Sequence, residues 1–509
     1  MHKKIDNMRN TMNTFFTILV VVVLSSCNSS RAKKDDVSDQ LHANTVSALA
    51  VKDMHDDLHI LWAAIKEVHP GYGIYTPVDS LQKVYDKTYA SIQAPLTEDQ
   101  FITAIYPFVC NLRCGHTQIK HSKDYKPPIG LKVPHLPFKV LVRDHRVWVT
   151  THQTAQLATG DEIISINDVA VDKIIDHGYD LYSDDGYNET FKELFLSEYD
   201  GFEDACNKYY HWSGSYKLKL HSNSAALSIV WVNEVNGDVS AHDPGQKDNT
   251  YSGWTTAESI PDSRLRLWKN TPVALFKSTP FAYEDTIVFK NAFRLIKQKG
   301  IKTLILDLRH NSGGDIRVAT KLLSYLADSP FEIIKDVNSR LSNPAINTFA
   351  KYFDPLITQG FTDGFKIAGK EGTWYHVAAK PAFGKLYGPF PLDKTDHFDG
   401  KLLVLIDGAT FSSGALFSAA VKAQRQGVVF IGRETAGSEE GCNGVTLQEL
   451  TLPHSKIIVD FPLMRVTSVA KNPLKGRGII PDYPVTYSPE DIVAQNDQDI
   501  KKALGMVNR

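Results

Sequence analysis

The chain lacks an excess of charge of either sign. It carries 56 Lys+Arg against 58 Asp+Glu, a formal net charge of −2 over 509 residues, which argues against a globally basic nucleic-acid binder or a polyionic partner. It has no long charge block, no internal repeat and no low-complexity tract. Apolar runs of membrane-spanning length are also missing: the run at residues 15–24 falls short of the ~20 residues a helical span needs. Cysteine is scarce, with five in all. Cys110 and Cys114 have the spacing of a metal pair beside His116, but no fourth ligand lies near, so no metal is expected there; no organic cofactor is expected either. Beyond Cys27, the four cysteines allow three full pairings in an exporting compartment, or remain buried thiols.

What is present begins with a leader. Lys3, Lys4 and Arg9 precede the apolar run, which Ser25-Ser26-Cys27 follows, the layout of a secretory signal. A cysteine after Leu-Ser-Ser resembles a bacterial lipobox. The expectation is removal of residues 1–26, lipid on the thiol of Cys27, and a tether to residue 45 that holds the protein on a membrane of the bacterial cell envelope. An uncleaved anchor is the alternative.

The length implies two or three domains. Residues 46–122 read as a small helical domain: Met54, Leu58, Leu61, Ile65 and Val68 recur at helical spacing, and Thr97-Glu98-Asp99-Gln100 is a capping-box pattern. Residues 123–232 change to alternating strands around an Asp144-His145 turn. Within them, residues 159–168 (TGDEIISIND) resemble the carboxyl half of a PDZ module, either a spacer or a site of peptide docking. Residues 233–270 read as a linker. Strands alternating with helices then predict an α/β core over 271–490, followed by a tail helix over 491–509.

Three segments carry the chemistry. Residues 402–417 (LLVLIDGATFSSGALF) read as a buried strand, a short turn and an amphipathic helix opened by Ser412-Ser413. A serine there either caps the helix or presents a nucleophile beside N–H groups that can bind an oxyanion. Residues 303–315 (TLILDLRHNSGGD) place Asn311-Ser312-Gly313-Gly314 after a second buried strand. Such a turn aims peptide N–H groups at a neighbour or simply links strand to helix. Cys114-Gly115-His116-Thr117 sets a histidine, the usual general base, just past a helix.

In that order, with Ile431-Gly432-Arg433-Glu434-Thr435-Ala436-Gly437 and Gly478-Ile479-Ile480-Pro481-Asp482, these segments resemble the tail-specific (C-terminal processing) and tricorn-like serine peptidases of type S41, in particular lipoprotein members from Bacteroidetes-type bacteria. The resemblance implies a crotonase- and ClpP-like superhelical core. It implies Ser412 as nucleophile, with the backbone N–H groups of Ser413 and Gly313 as oxyanion hole. Tail-specific members take a lysine base at a position held here by Ser438, so the implied base is His116. Where tricorn-like members have serine before the histidine, this chain has Gly115. Where they have an acidic group before the terminal Gly-Ile element, it has Lys475, leaving Glu434, Glu439 or Glu440 to orient the histidine. The implied activity is endopeptidase action on peptides or unfolded protein tails. The alternatives are a weak or inactive binding protein on the same scaffold and an acyl hydrolase acting on a non-peptide ester.

Overall fold

The computed structural model describes residues 48–127, 134–222, 227–237, 239, 251–343 and 347–507. Cys27 and the leader lie outside them. No helix among the described residues is long and apolar enough to cross a membrane.

Three helices open the described chain: Val51–Val68, Val78–Ser91 and Glu98–Cys110. The first buries Met54, Leu58, Leu61, Ile65 and Val68, the stripe its spacing predicts. The third begins on a reciprocal capping box between Thr97 and Gln100, which satisfies two otherwise unpaired N–H groups.

The middle of the chain forms a six-stranded antiparallel sheet, with Leu227–Asn233 at one edge and Phe138–Arg143 at the other. Its hairpin of Phe138–Arg143 with Arg146–His152 turns at Asp144 and His145, both at positive φ. The helices Val171–Tyr179 and Thr190–Glu198 contribute to this sheet's own hydrophobic cluster.

The site rests on a seven-stranded sheet. Val273–Lys277, Thr303–Asp307, Lys401–Ile406, Val429–Gly432 and Tyr483–Pro484 run parallel in that order. Leu265–Trp268 and Trp254–Thr256 extend it antiparallel. Residues 254–268, read as linker, thus belong to the core sheet. Strands Thr303–Asp307 and Lys401–Ile406 are in direct register, Leu304 opposite Leu402 and Asp307 opposite Leu405. That pairing sets the glycine turn and the serine turn side by side at the carboxyl ends of adjacent strands. The helix Ser413–Gln424 is not amphipathic as expected: Ser413 to Val421 are all buried, because the helix is covered on all sides up to its last turn.

A further six-stranded sheet contains the long hairpin Gly441–Thr451 and Ile458–Ser468, with Ile119–Lys120 paired to the latter. The stretch around 351–398, read as an irregular insertion, supplies helix Pro355–Gly364 and the hairpin Phe365–Glu371/Trp374–Ala379 to that sheet. Cys110, Cys114, Cys206 and Cys442 are buried and unbridged.

Candidate active site

The serine turn is held by its own backbone and by the neighbouring turn. Asp407 accepts the His310 and Ala409 N–H groups at 3.0 Å each. Thr410 donates its hydroxyl to the Leu308 carbonyl at 2.9 Å, and the Phe411 N–H donates to the Asn311 carbonyl at 3.0 Å. Ser413 donates its hydroxyl to the Gly314 carbonyl at 2.8 Å. Between these anchors Ser412 sits at φ 50°, ψ −124°, a conformation that costs a non-glycine residue ~1–3 kcal/mol and persists only where the surroundings impose it.

The glycine turn packs against it. Gly313 has φ 105°, and a Cβ there would lie 2.6 Å from Ser412 Cβ and 2.8 Å from the Ser413 nitrogen. Only glycine permits that approach. As the first helical residue, Ser413 presents an N–H with no acceptor in the turn before it. The Gly313 N–H differs from expectation: it donates to Asn311 Oδ1 at 3.0 Å. The Asn311 side chain returns over its own turn and occupies that donor, so in this structure the Gly313 N–H is not open to an oxyanion.

The histidine comes from the helical region. Arg113 at φ 53° ends the run after Glu98–Cys110, and the Thr117 N–H closes a turn on the Cys114 carbonyl at 3.0 Å. Below it, buried His69 accepts the Gly71 N–H on Nδ1 at 2.9 Å and bonds through Nε2 to Thr117 Oγ1 at 2.7 Å. This fixes the His69 proton on Nε2. Burial pushes His69 down to about 3, so it is neutral and acts as a strut beneath the turn.

His116 Nε2 lies 3.0 Å from Ser412 Oγ, and its ring packs on Phe411 with centroids 4.5 Å apart. Burial pushes this imidazole down to about 4, so at neutral pH it is uncharged and able to accept the serine proton. An Nε2 in the accepting role puts the ring's own proton on Nδ1. Among the described residues Nδ1 is buried without a hydrogen-bond partner.

The three glutamates expected to orient the histidine are engaged elsewhere. Glu434 pairs with Arg477, 2.9 Å between Oε1 and Nε, and accepts the Gly478 N–H at 2.7 Å. Glu439 pairs with Lys422 at 2.9 Å. Glu440 pairs with Arg465 at 3.0 Å and accepts the Tyr75 hydroxyl at 2.6 Å. None of them is bonded to His116 Nδ1, so the expected orienting role is corrected for all three. Each already has a cation to satisfy, on a segment that sequence distance alone does not reveal. Ser438, in the place of the family lysine, donates to the Arg477 carbonyl at 3.3 Å.

Sequence reasoning missed two contributors. Phe411 supplies the aromatic floor under His116, and its position beside Ser412 was the available signal. Asp185, from the middle sheet region, accepts the Gly115 N–H on Oδ1 at 2.7 Å. An acidic Asp-Asp-Gly stretch reads as an ordinary solvated turn, and nothing local marks it otherwise.

Residues 273–485 match the model of Peptidase family S41. Of the solved structures, mature CPAF is similar at 14% identity, covering 90% of this chain and 96% of its own, with a TM-score of 0.57. Mature CPAF complexed with lactacystin gives 14% identity, 89% and 97% coverage and a TM-score of 0.57. At that identity the likeness is one of fold. A putative peptidase from Parabacteroides merdae ATCC 43184 aligns over 89% of this chain and 96% of its own at 13% identity, with a TM-score of 0.43. No curated protein matches the sequence.

Proposed function

We propose that this chain, a serine peptidase of the S41 type, is an exported, lipid-anchored endopeptidase that cuts extended or unfolded polypeptides with Ser412 as nucleophile and His116 as base. The observation that carries the reading is the 3.0 Å contact of His116 Nε2 with Ser412 Oγ, made between residues 296 positions apart in the chain. His116 takes the hydroxyl proton as Oγ bonds to the substrate carbonyl carbon. The carbonyl oxygen becomes an oxyanion, His116 returns the proton to the leaving amine, and water then releases the acyl group by the same steps.

The oxyanion is assigned to the Ser413 N–H together with Gly313. The second donor has to exchange Asn311 Oδ1 for the substrate oxygen. An anion is the stronger acceptor, so formation of the tetrahedral intermediate favours that exchange. The parallel ladder from Val273 to Pro484 supports a crotonase- and ClpP-like core, and the middle antiparallel sheet is consistent with a PDZ-like region that docks or spaces substrate. The lipid anchor rests on Cys27 and its leader in the sequence, which support a location on a membrane of the bacterial cell envelope.

Casein hydrolysis by the full-length chain, with Ser412→Ala and His116→Ala beside wild type, tests the reading. The expected outcome is turnover in wild type and a loss of about 1,000-fold or more in each variant, the scale on which such dyads fail. Turnover retained in Ser412→Ala would refute it.

A further inference from the structure

We infer that Asp185 is the acidic positioning residue of the His116 base, holding the histidine turn through the Gly115 N–H and, when ionised, favouring the imidazolium formed as Ser412 gives up its proton. The inference rests on the Ser412/His116 reading above.

The first argument is geometric. Asp185 Oδ1 accepts the N–H of the residue directly before His116 at 2.7 Å. A Cβ on Gly115 would lie 3.5 Å from that same oxygen and 2.8 Å from the Phe411 ring, and that ring is the one packed on His116. Carboxylate, Gly115, Phe411 and imidazole are therefore in one contiguous packing. Glycine in place of the family's serine leaves room for this arrangement.

The second argument is an imbalance of hydrogen bonds. Among the described residues His116 Nδ1, Asp185 Oδ2 and Asp184 Oδ2 are all buried without a partner. A buried carboxylate oxygen with nothing to accept is costly, and the fold does much to keep it there. The Gly186 N–H donates to the Arg113 carbonyl and Arg113 Nη1 donates back to the Gly186 carbonyl, each at 3.1 Å. Asn188 Nδ2 donates to the Asp185 carbonyl at 3.3 Å and to that of Ala436 at 3.1 Å. The Tyr187 N–H donates to the Gly476 carbonyl at 2.7 Å. Residues 183–188 are thus clamped to both the histidine turn and the C-terminal segment.

The surroundings of the carboxyl are mixed. Burial pushes Asp185 up to about 7, with the Gly115 N–H and Arg465 opposing and Glu440 adding to the rise. The Cys114 and Cys442 thiols and the Tyr75 hydroxyl also face it. Burial raises Asp184 beside it as well, with Lys192 and the Asp185 N–H opposing and the charges of Asp185 and Glu434 adding. A base left alone at about 4 works down to acidic pH. A base assisted by an anion that forms only at about 7 does not. The acid limb of reactivity separates the two.

The test is the rate at which a fluorophosphonate labels Ser412 across pH in the full-length chain, for wild type, Asp185→Asn and Asp185→Glu, with Ser412→Ala as the blank. Asparagine keeps the acceptor for the Gly115 N–H, so the turn is retained while the charge is lost; a circular-dichroism melt verifies folding. The expected result is a wild-type limb near pH 7, a limb moved toward pH 4 in Asp185→Asn with a plateau tenfold or more lower, and a neutral limb regained in Asp185→Glu. An asparagine variant that labels like wild type overturns the inference. So does slower labelling with an unmoved limb, which a merely structural role would give. Absence of Ser412 labelling in folded wild type would instead strike the Ser412/His116 reading, and the inference with it.

Discussion

Ser412 shows how far a single residue can be at odds with its own backbone. Its φ of 50° and ψ of −124° suit glycine, yet the hydroxyl is kept and aimed at His116. Replacing it with glycine should therefore improve the fold while removing the hydroxyl proposed as nucleophile. Ser412→Gly is expected to gain about 1 kcal/mol of stability over Ser412→Ala in chemical denaturation, because only glycine relieves the strain. A glycine variant no more stable than the alanine one would show that the turn is not strained. The residues of this turn were legible through the order of several motifs along the chain, since a serine or glycine at one strand–helix junction reads equally well as a cap or a linker. Asp185 and the true partners of Glu434, Glu439 and Glu440 were not, since a carboxylate's role depends on which distant cation or N–H folds against it.

Elements add a second layer, in which the histidine turn depends on helices and strands distant in the chain. Asp57 is buried on the helix Val51–Val68 and accepts the His454 N–H at 2.9 Å and the Ser455 N–H at 2.7 Å. It thereby pins the tip of the long hairpin, whose strand Ile458–Ser468 pairs with Ile119–Lys120 just past His116. Asp57→Ala leaves two backbone donors without their acceptor and should cost about 2–3 kcal/mol, read as a lower denaturation midpoint with an unchanged slope. Per-molecule activity at low temperature should survive, since no catalytic atom moves. The helix itself was legible from its apolar spacing. The hairpin was not, because strands such as residues 441–451 are buried on alternating and continuous stretches alike, with no single period to read.

Across the whole molecule, the serine and glycine turns are also tied to the C-terminal segment. Arg309 leads into the glycine turn and is only 15% exposed. Its guanidinium meets Asp307 at 2.8 Å, Asp497 at 2.8 Å and Asp499 at 2.9 Å. Asp497 and Asp499 lie at the start of Gln498–Leu504, whose Ile500 and Ala503 pack against the sheet. One cation thus bridges three carboxylates and joins the glycine turn to the C-terminal helix, a link between residues 190 positions apart that no local pattern announces. Arg309→Leu strands those carboxylates and is expected to cost about 3–5 kcal/mol at neutral pH. The sign with pH follows from the same cluster. Burial already raises Asp499 above its ordinary value with the arginine in place, and removing the cation raises it further. In the variant, a carboxyl whose folded value exceeds its unfolded one is stabilising when protonated and loses that contribution as pH rises through the folded value. The deficit relative to wild type should therefore shrink as pH falls from neutral toward 5. Denaturation midpoints of both proteins over that range measure it. A deficit that stayed constant would mean that Arg309 acts through packing of its stem rather than through the charge it places among three acids.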